Sequence, residues 1–112
     1  MTNASIEREI TDTVAGKFGR YATGFDITIT DTAVENAPMW KFDFSYVASI
    51  DGSTQTVSDG TEIGNTKSIL ERVWLSLLAV IEDSDDKDKT NVRGSLVRAG
   101  NDLGFVDPEL IR

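Results

Sequence analysis

The residues in this chain best equipped for chemistry are acids. Glu82, Asp83, Asp85, Asp86 and Asp88, diluted by Lys87 and Lys89, form its most charged segment. Such a run suits two jobs: holding a divalent cation through carboxylate oxygens, or offering negative charge to a basic partner. Tested as a calcium loop, Asp83 and Asp85 fill the first and third positions. Lys87 then takes the fifth, Asp88 stands where the turn glycine belongs, and Gly94 stands where the bidentate glutamate belongs. A dedicated calcium loop is excluded, and divalent binding by the rest would be unspecific. The plain alternative is a solvated connection between two helices.

A second polar loop is expected around Asp59 and Glu62. Gly60-Thr-Glu-Ile-Gly64-Asn-Thr-Lys67 places glycines, threonine and lysine ahead of a helix, as a phosphate-binding loop does. That loop needs four residues between its glycines and a lysine followed directly by Ser or Thr. Here three residues intervene, and Glu62 would face the phosphate, so the glycines serve a turn. Nucleophilic catalysis has serines and threonines to draw on. With no histidine and no cysteine, its base would have to be Lys or a carboxylate. Zinc sites of the Cys/His type and disulfides are excluded with them. No Gly-x-Ser-x-Gly or helix-starting Ser-x-x-Lys occurs. The residues name no catalytic site, no cofactor site and no metal site, and an enzyme is the less favoured class.

Eleven basic against nineteen acidic residues leave a net charge of −8. Holding nucleic acid takes clustered Lys and Arg, so direct nucleic-acid binding is not expected, and any charge-driven partner should be a basic protein. Solubility alone is the bland reading of such a balance. The first ten residues, MTNASIEREI, contain no apolar leader, and Ile69 to Ile81 is too short for a bilayer, which takes ~20 apolar residues. The expectation is a cytoplasmic protein without membrane contact.

The elements that would position these residues follow from periodicity. Ile69–Ile81, ILERVWLSLLAVI, is interrupted only by Glu71, Arg72 and Ser76. Its two apolar rows (69, 73, 77, 81 and 70, 74, 78) describe a core helix. Asn65, Thr66 or Ser68 can cap it, the last with Glu71 as a capping box. Ile6, Ile10, Val14 and Phe18 predict a first helix, capped by Asn3 or Ser5 and stopped near Gly16 or Gly19. Phe25, Ile27 and Ile29 alternate with polar residues as a first strand after Gly24. Asp31 to Pro38 reads as a connection. Trp40, Phe42, Phe44, Tyr46, Ala48 and Ile50 alternate as a second strand. Asp51-Gly52 is a hairpin turn, and Ser53 to Ser58 a polar, edge-like third strand. Thr90 or Asn91 should cap a third helix carrying Val92, Leu96, Val97 and Leu103 and ending at Gly100-Asn101. Asp107-Pro108-Glu109 starts a last turn. The apolar tail should dock, with helix 3, on the row Leu70, Trp74 and Leu78.

The fold class is therefore α+β, one domain over residues 1–112: helix, three-stranded antiparallel meander, central helix on one sheet face, then a helix and tail. This α-β-β-β-α order, over about residues 4–82, resembles the double-stranded-RNA-binding domain. The place where that family clusters its basic residues holds a single Lys67 beside Asp59 and Glu62, so no RNA-binding residue carries over. Two functions are expected in order. The first is a non-enzymatic protein-binding module whose acids occupy the basic nucleic-acid-binding surface of a target, as small phage inhibitors of similar size and charge do. The second is an assembly subunit forming a homo-oligomer of the virion or assembly-chaperone type.

Overall fold

The four-residue spacing of Ile6, Ile10, Val14 and Phe18 puts them on one side of α1 (Asn3–Phe18), and all four are buried. In the computed structural model, residues 3–30, 39–50, 53–84 and 87–111 are described. The connection 31–38, the hairpin turn Asp51-Gly52, and Asp85 and Asp86 lie outside them. The remaining elements are β1 (Ala22–Thr30), β2 (Trp40–Ile50), β3 (Ser53–Gly64), α2 (Thr66–Glu82), α3 (Lys89–Asn101) and a 3-10 turn over Pro108–Ile111. The strands form an antiparallel sheet in the order β1-β2-β3. The α+β order read from the sequence holds throughout.

Alternation makes β2 the spine of the core. Phe42, Phe44, Tyr46, Ala48 and Ile50 are buried on the helix side, and the rings of Phe42, Phe44 and Tyr46 stack in a ladder at 6.1 Å spacing. β1 begins earlier than the alternation suggests. Gly24, at φ +60°, opens a bulge that sets Gly24 and Phe25 against Tyr46 alone. The bulge turns Phe25 onto Phe44, ring centroids 6.0 Å apart.

Every apolar residue in the two rows of α2 is buried: Ile69, Leu70, Val73, Trp74, Leu77, Leu78 and Ile81. Each such side chain contributes about 1.5–3 kcal/mol relative to exposure. Asn65 is the cap, its side chain accepting the Ser68 N–H at 2.8 Å, so Ser68 lies inside the helix and no Ser68 capping box forms. The second row is covered by α3 and the tail. Trp74 donates its indole N–H to the Leu96 carbonyl at 2.8 Å, and its ring meets Phe105 at 5.5 Å.

The start of α3 differs from its predicted position, while its end does not. α3 starts at Lys89, one residue past Asp88, before the expected caps Thr90 and Asn91. It ends at Asn101, as expected, and Gly104, at φ +88°, closes it: the Phe105 and Gly104 N–H groups return to the Gly100 and Asn101 carbonyls at 3.0 Å each. That is a Schellman stop, and it folds Phe105 back onto Trp74. Gly100 serves the packing instead. A Cβ there would stand 2.2 Å from Trp74 Cε2, so only glycine lets α3 approach the indole. α1 runs past Gly16 and ends at Phe18, directly before the other expected stop, Gly19.

Candidate protein-interaction surface

The helices cover one face of the sheet and leave the other in solvent. On that open face Asp26, Thr28, Thr30, Lys41 and Asp43 are exposed, as are Thr54, Thr56 and Ser58 of β3. Asp26 and Asp43 line a shallow recess there with Thr28, Ser45 and Ser58. A second concavity, about 390 Å³, runs between β3 and α2 and is bounded by Gln55–Asp59, Ser76, Ala79, Val80 and Asp83. α2 runs antiparallel to β3 here, because Arg72 reaches Asp59 while Ser76 reaches Tyr46, whose strand partner is Val57. Asp59 and Asp83 therefore mark opposite ends of the groove.

Asp59 was expected in a loop. It lies inside β3, which runs to Gly64 and not only to Ser58. The strand continues because a bulge at Thr61, between the pairs Phe42↔Glu62 and Asp43↔Gly60, absorbs the glycine-containing stretch. Glu62 thus sits in the strand as well. Asp59 accepts Arg72 Nε at 2.7 Å and the Gly60 N–H at 2.8 Å. The Arg72 guanidinium beside it holds its carboxyl below the usual range.

The acidic run at the end of α2 divides among structural tasks. Glu82 accepts Arg93 Nε at 3.0 Å, and its backbone carbonyl accepts Lys89 Nζ at 2.6 Å. Asp83 is the C-cap of α2, its backbone N–H returning to Ala79, while its side chain is exposed at the groove. Asp88 is the N-cap of α3 and accepts the Asn91 amide at 2.6 Å. Among the described residues no cluster of His, Cys, Asp or Glu could hold a metal ion. No described helix is long and apolar enough to cross a membrane.

Two polar interruptions of the apolar run prove to be anchors. Arg72 ties α2 to β3, and Ser76 ties it to β2. Ser76 Oγ donates its one proton to the Val73 carbonyl at 2.6 Å, so the Tyr46 hydroxyl, 2.5 Å away, must be the donor to Ser76. Burial pushes the Tyr46 hydroxyl from its ordinary 10.0 to about 12. A raised folded value means that the stabilisation is complete below the ordinary tyrosine value and is lost as pH rises through about 12. In a Tyr21→Phe background, a ring-labelled tyrosine NMR titration should place Tyr46 near 12, and Tyr46→Phe should flatten alkaline unfolding between those two values. Titration of Tyr46 at its ordinary value would contradict the assignment.

Periodicity gave no signal for Arg93, which emerges as a hub. Its guanidinium makes two bonds to Asp107, at 2.9 and 3.0 Å, and lies 3.5 Å from Glu109. These anions push it up further, and Arg93 in turn holds the Asp107 carboxyl below its usual range. Comparison of the chain with protein-family models, curated proteins and solved structures returns no match, so the order it shares with the double-stranded-RNA-binding domain remains a likeness of order alone.

Proposed function

We propose that the chain is a non-enzymatic protein-binding module that meets a basic partner with the side formed by its open sheet face and the β3–α2 flank. The fitting target is the nucleic-acid-binding surface of another protein, which is basic for its own ligand. One observation supports the reading most: exposed acids stand on the open sheet face and at the groove beside it, and Lys41 is the one described cation on that face. Asp26 and Asp43 stand on the open sheet face, and Asp83 stands at the adjoining groove. Lys89, Arg93 and Arg98 belong to α3, which packs on α2 and α1. The acidic surface thus shifts from the predicted run at residues 82–88 towards the sheet, with Asp83 common to both.

Capture from nuclease-treated lysate at rising salt tests it. A basic nucleic-acid-binding protein should be retained at low salt and released within a few hundred millimolar. Combined Asp26→Asn, Asp43→Asn and Asp83→Asn should weaken its affinity by about tenfold, the sum of modest rim charge effects. Glu9→Gln with Asp12→Asn, exposed on α1, should leave it unchanged. Salt-indifferent retention, or equal loss from both sets, would sink the reading.

A second reading, a homo-oligomeric assembly subunit, draws support from Ile63 and Leu75. They are 50% and 37% exposed, and both line one recess with Phe42, Glu71 and Arg72. Sedimentation across the micromolar range separates the two, since a strict monomer removes the second.

A further inference from the structure

We infer that β3 takes up an extended, basic peptide segment of the partner as a fourth strand, with alternate side chains of that segment entering the β3–α2 groove. The inference rests on the protein-binding reading above and names the partner's shape and chemistry. Its first support is the contrast between the two sheet edges. On the β1 edge α1 takes up the outward groups of Ile29: its N–H donates to the Glu7 carboxylate at 2.7 Å, and its carbonyl accepts Asn3 Nδ2 at 3.3 Å. β3 is the other edge of the sheet. Every second residue of an edge strand turns its N–H and C=O away from its neighbour, towards any strand that arrives.

The second support is the composition of that edge. Natural edges are guarded by Lys and Pro, yet STQTVSDGTEIG holds neither; its charges are Asp59 and Glu62. The ladder to β2 is unbroken from Ser53 to Gly60 and is interrupted only beyond it, at Thr61. That leaves a regular stretch of peptide length.

The third is the groove alongside. An added strand rises ~3.3 Å per residue and sends alternate side chains to one face. A small apolar side chain would lie over Val57, Ala79 and Val80, and a Lys or Arg two residues along would reach the exposed Asp83. At the other end Asp59 already holds Arg72, so Asp83 carries the charge recognition. A second copy of this chain fits worse. Pairing of two β3 strands would join edges that hold no Lys or Arg, between chains that each carry −8. Charge complementarity selects a basic strand, bound by main-chain hydrogen bonds and read by its alternate side chains.

The probe is the blocked peptide Thr-Lys-Thr-Val-Thr-Lys-Thr, with a Glu-for-Lys counterpart and two versions N-methylated at alternate residues in opposite registers. Titrated into the full chain, the basic peptide should bind saturably and slow hydrogen exchange of β3 amides between Thr54 and Ser58. Asp83→Lys, or Ala79→Arg in the groove wall, should each weaken it about tenfold. The Glu peptide and one N-methylated register should not bind. Equal binding of both N-methylated forms, or a footprint confined to Asp26 and Asp43, would overturn strand addition while leaving the acidic-surface reading standing. So would protection of β3 that grows with protein concentration alone, which would make the occupant a second copy. No binding by the basic peptide also overturns it, whereas the protein-binding reading falls only with the salt-sensitive capture.

Discussion

Gly100→Ala should lower the unfolding free energy by about 3 kcal/mol, at the upper end of what overpacking a core by one methyl costs. The added Cβ would lie 2.2 Å from Trp74 Cε2 and 2.4 Å from Nε1, distances that no pair of heavy atoms tolerates. Relief by moving the indole is blocked on two sides. Its N–H is committed to the Leu96 carbonyl, and its ring meets Phe105. Relief by moving α3 would lift Leu96 from the core, where it is fully buried. Against a typical total of 5–15 kcal/mol the loss is large, and a fall in Tm of about 10 °C or more follows for a domain of this size. The same substitution at Gly16 should have the opposite sign. Gly16 is exposed inside α1, a Cβ there meets nothing within 4 Å, and alanine is better than glycine in a helix by about 0.8–1.0 kcal/mol. On a Trp74→Leu background, Gly100→Ala should lose most of its effect, because the atoms it strikes are gone. Urea denaturation of the four variants closes that cycle. A Gly100→Ala protein as stable as the parent would show that α3 does not pack on Trp74 as described.

The contrast between these glycines explains what the sequence could and could not reveal. Patterns with a fixed period were legible: the stripe on α1, the alternation from Trp40 to Ile50, and both rows of α2 fall where their spacing puts them. Cover for the second row by α3 and the tail was legible too, since Trp74 and Phe105 needed burial. Gly100-Asn101 does end α3, but the sequence could not show what Gly100 is for, because a glycine in sequence says only that a side chain is missing. Whether the reason is backbone conformation, as at Gly104, or a neighbour's approach depends on an indole far away in the chain. Asp59 was placed in a loop because Asp-Gly resembles a turn. A bulge on an edge strand, with Arg72 waiting on the next helix, accommodates the same pair. Within the acidic run Glu82 accepts Arg93 and Asp88 accepts Asn91, pairings that a contiguous stretch of acids does not announce. The placing of Asp26 and Asp43 together on the open sheet face, which supports the proposed function, follows from strand pairing and has no linear signature.

Arg93→Met should cost about 2 kcal/mol at neutral pH, chiefly because the acids it leaves behind lose their partner. Asp107 is the critical one. Its side chain is only 12% exposed and that of Arg93 only 18%, so water replaces little of the paired guanidinium. Methionine keeps most of the apolar stem, which limits the change to the charge and its hydrogen bonds. The acid dependence carries the diagnosis. Arg93 holds the Asp107 carboxyl below its ordinary range through their hydrogen bonds, which means that the pair's stabilisation is fully present above about pH 4 and is lost as pH falls through the lowered value. The gap between parent and Arg93→Met should therefore be widest near pH 7 and shrink below that range. Asp107→Asn should show a smaller neutral-pH loss and the same narrowing. Because Asp107 also accepts the Glu109 N–H at 3.0 Å, both variants should release the last turn, and faster exchange at Glu109 would report it. The Schellman bonds of Gly104 and Phe105 do not involve Arg93 and should stay protected in both. A gap that is independent of pH would assign the loss to packing of the arginine stem and remove the ion-pair account of how the tail is held.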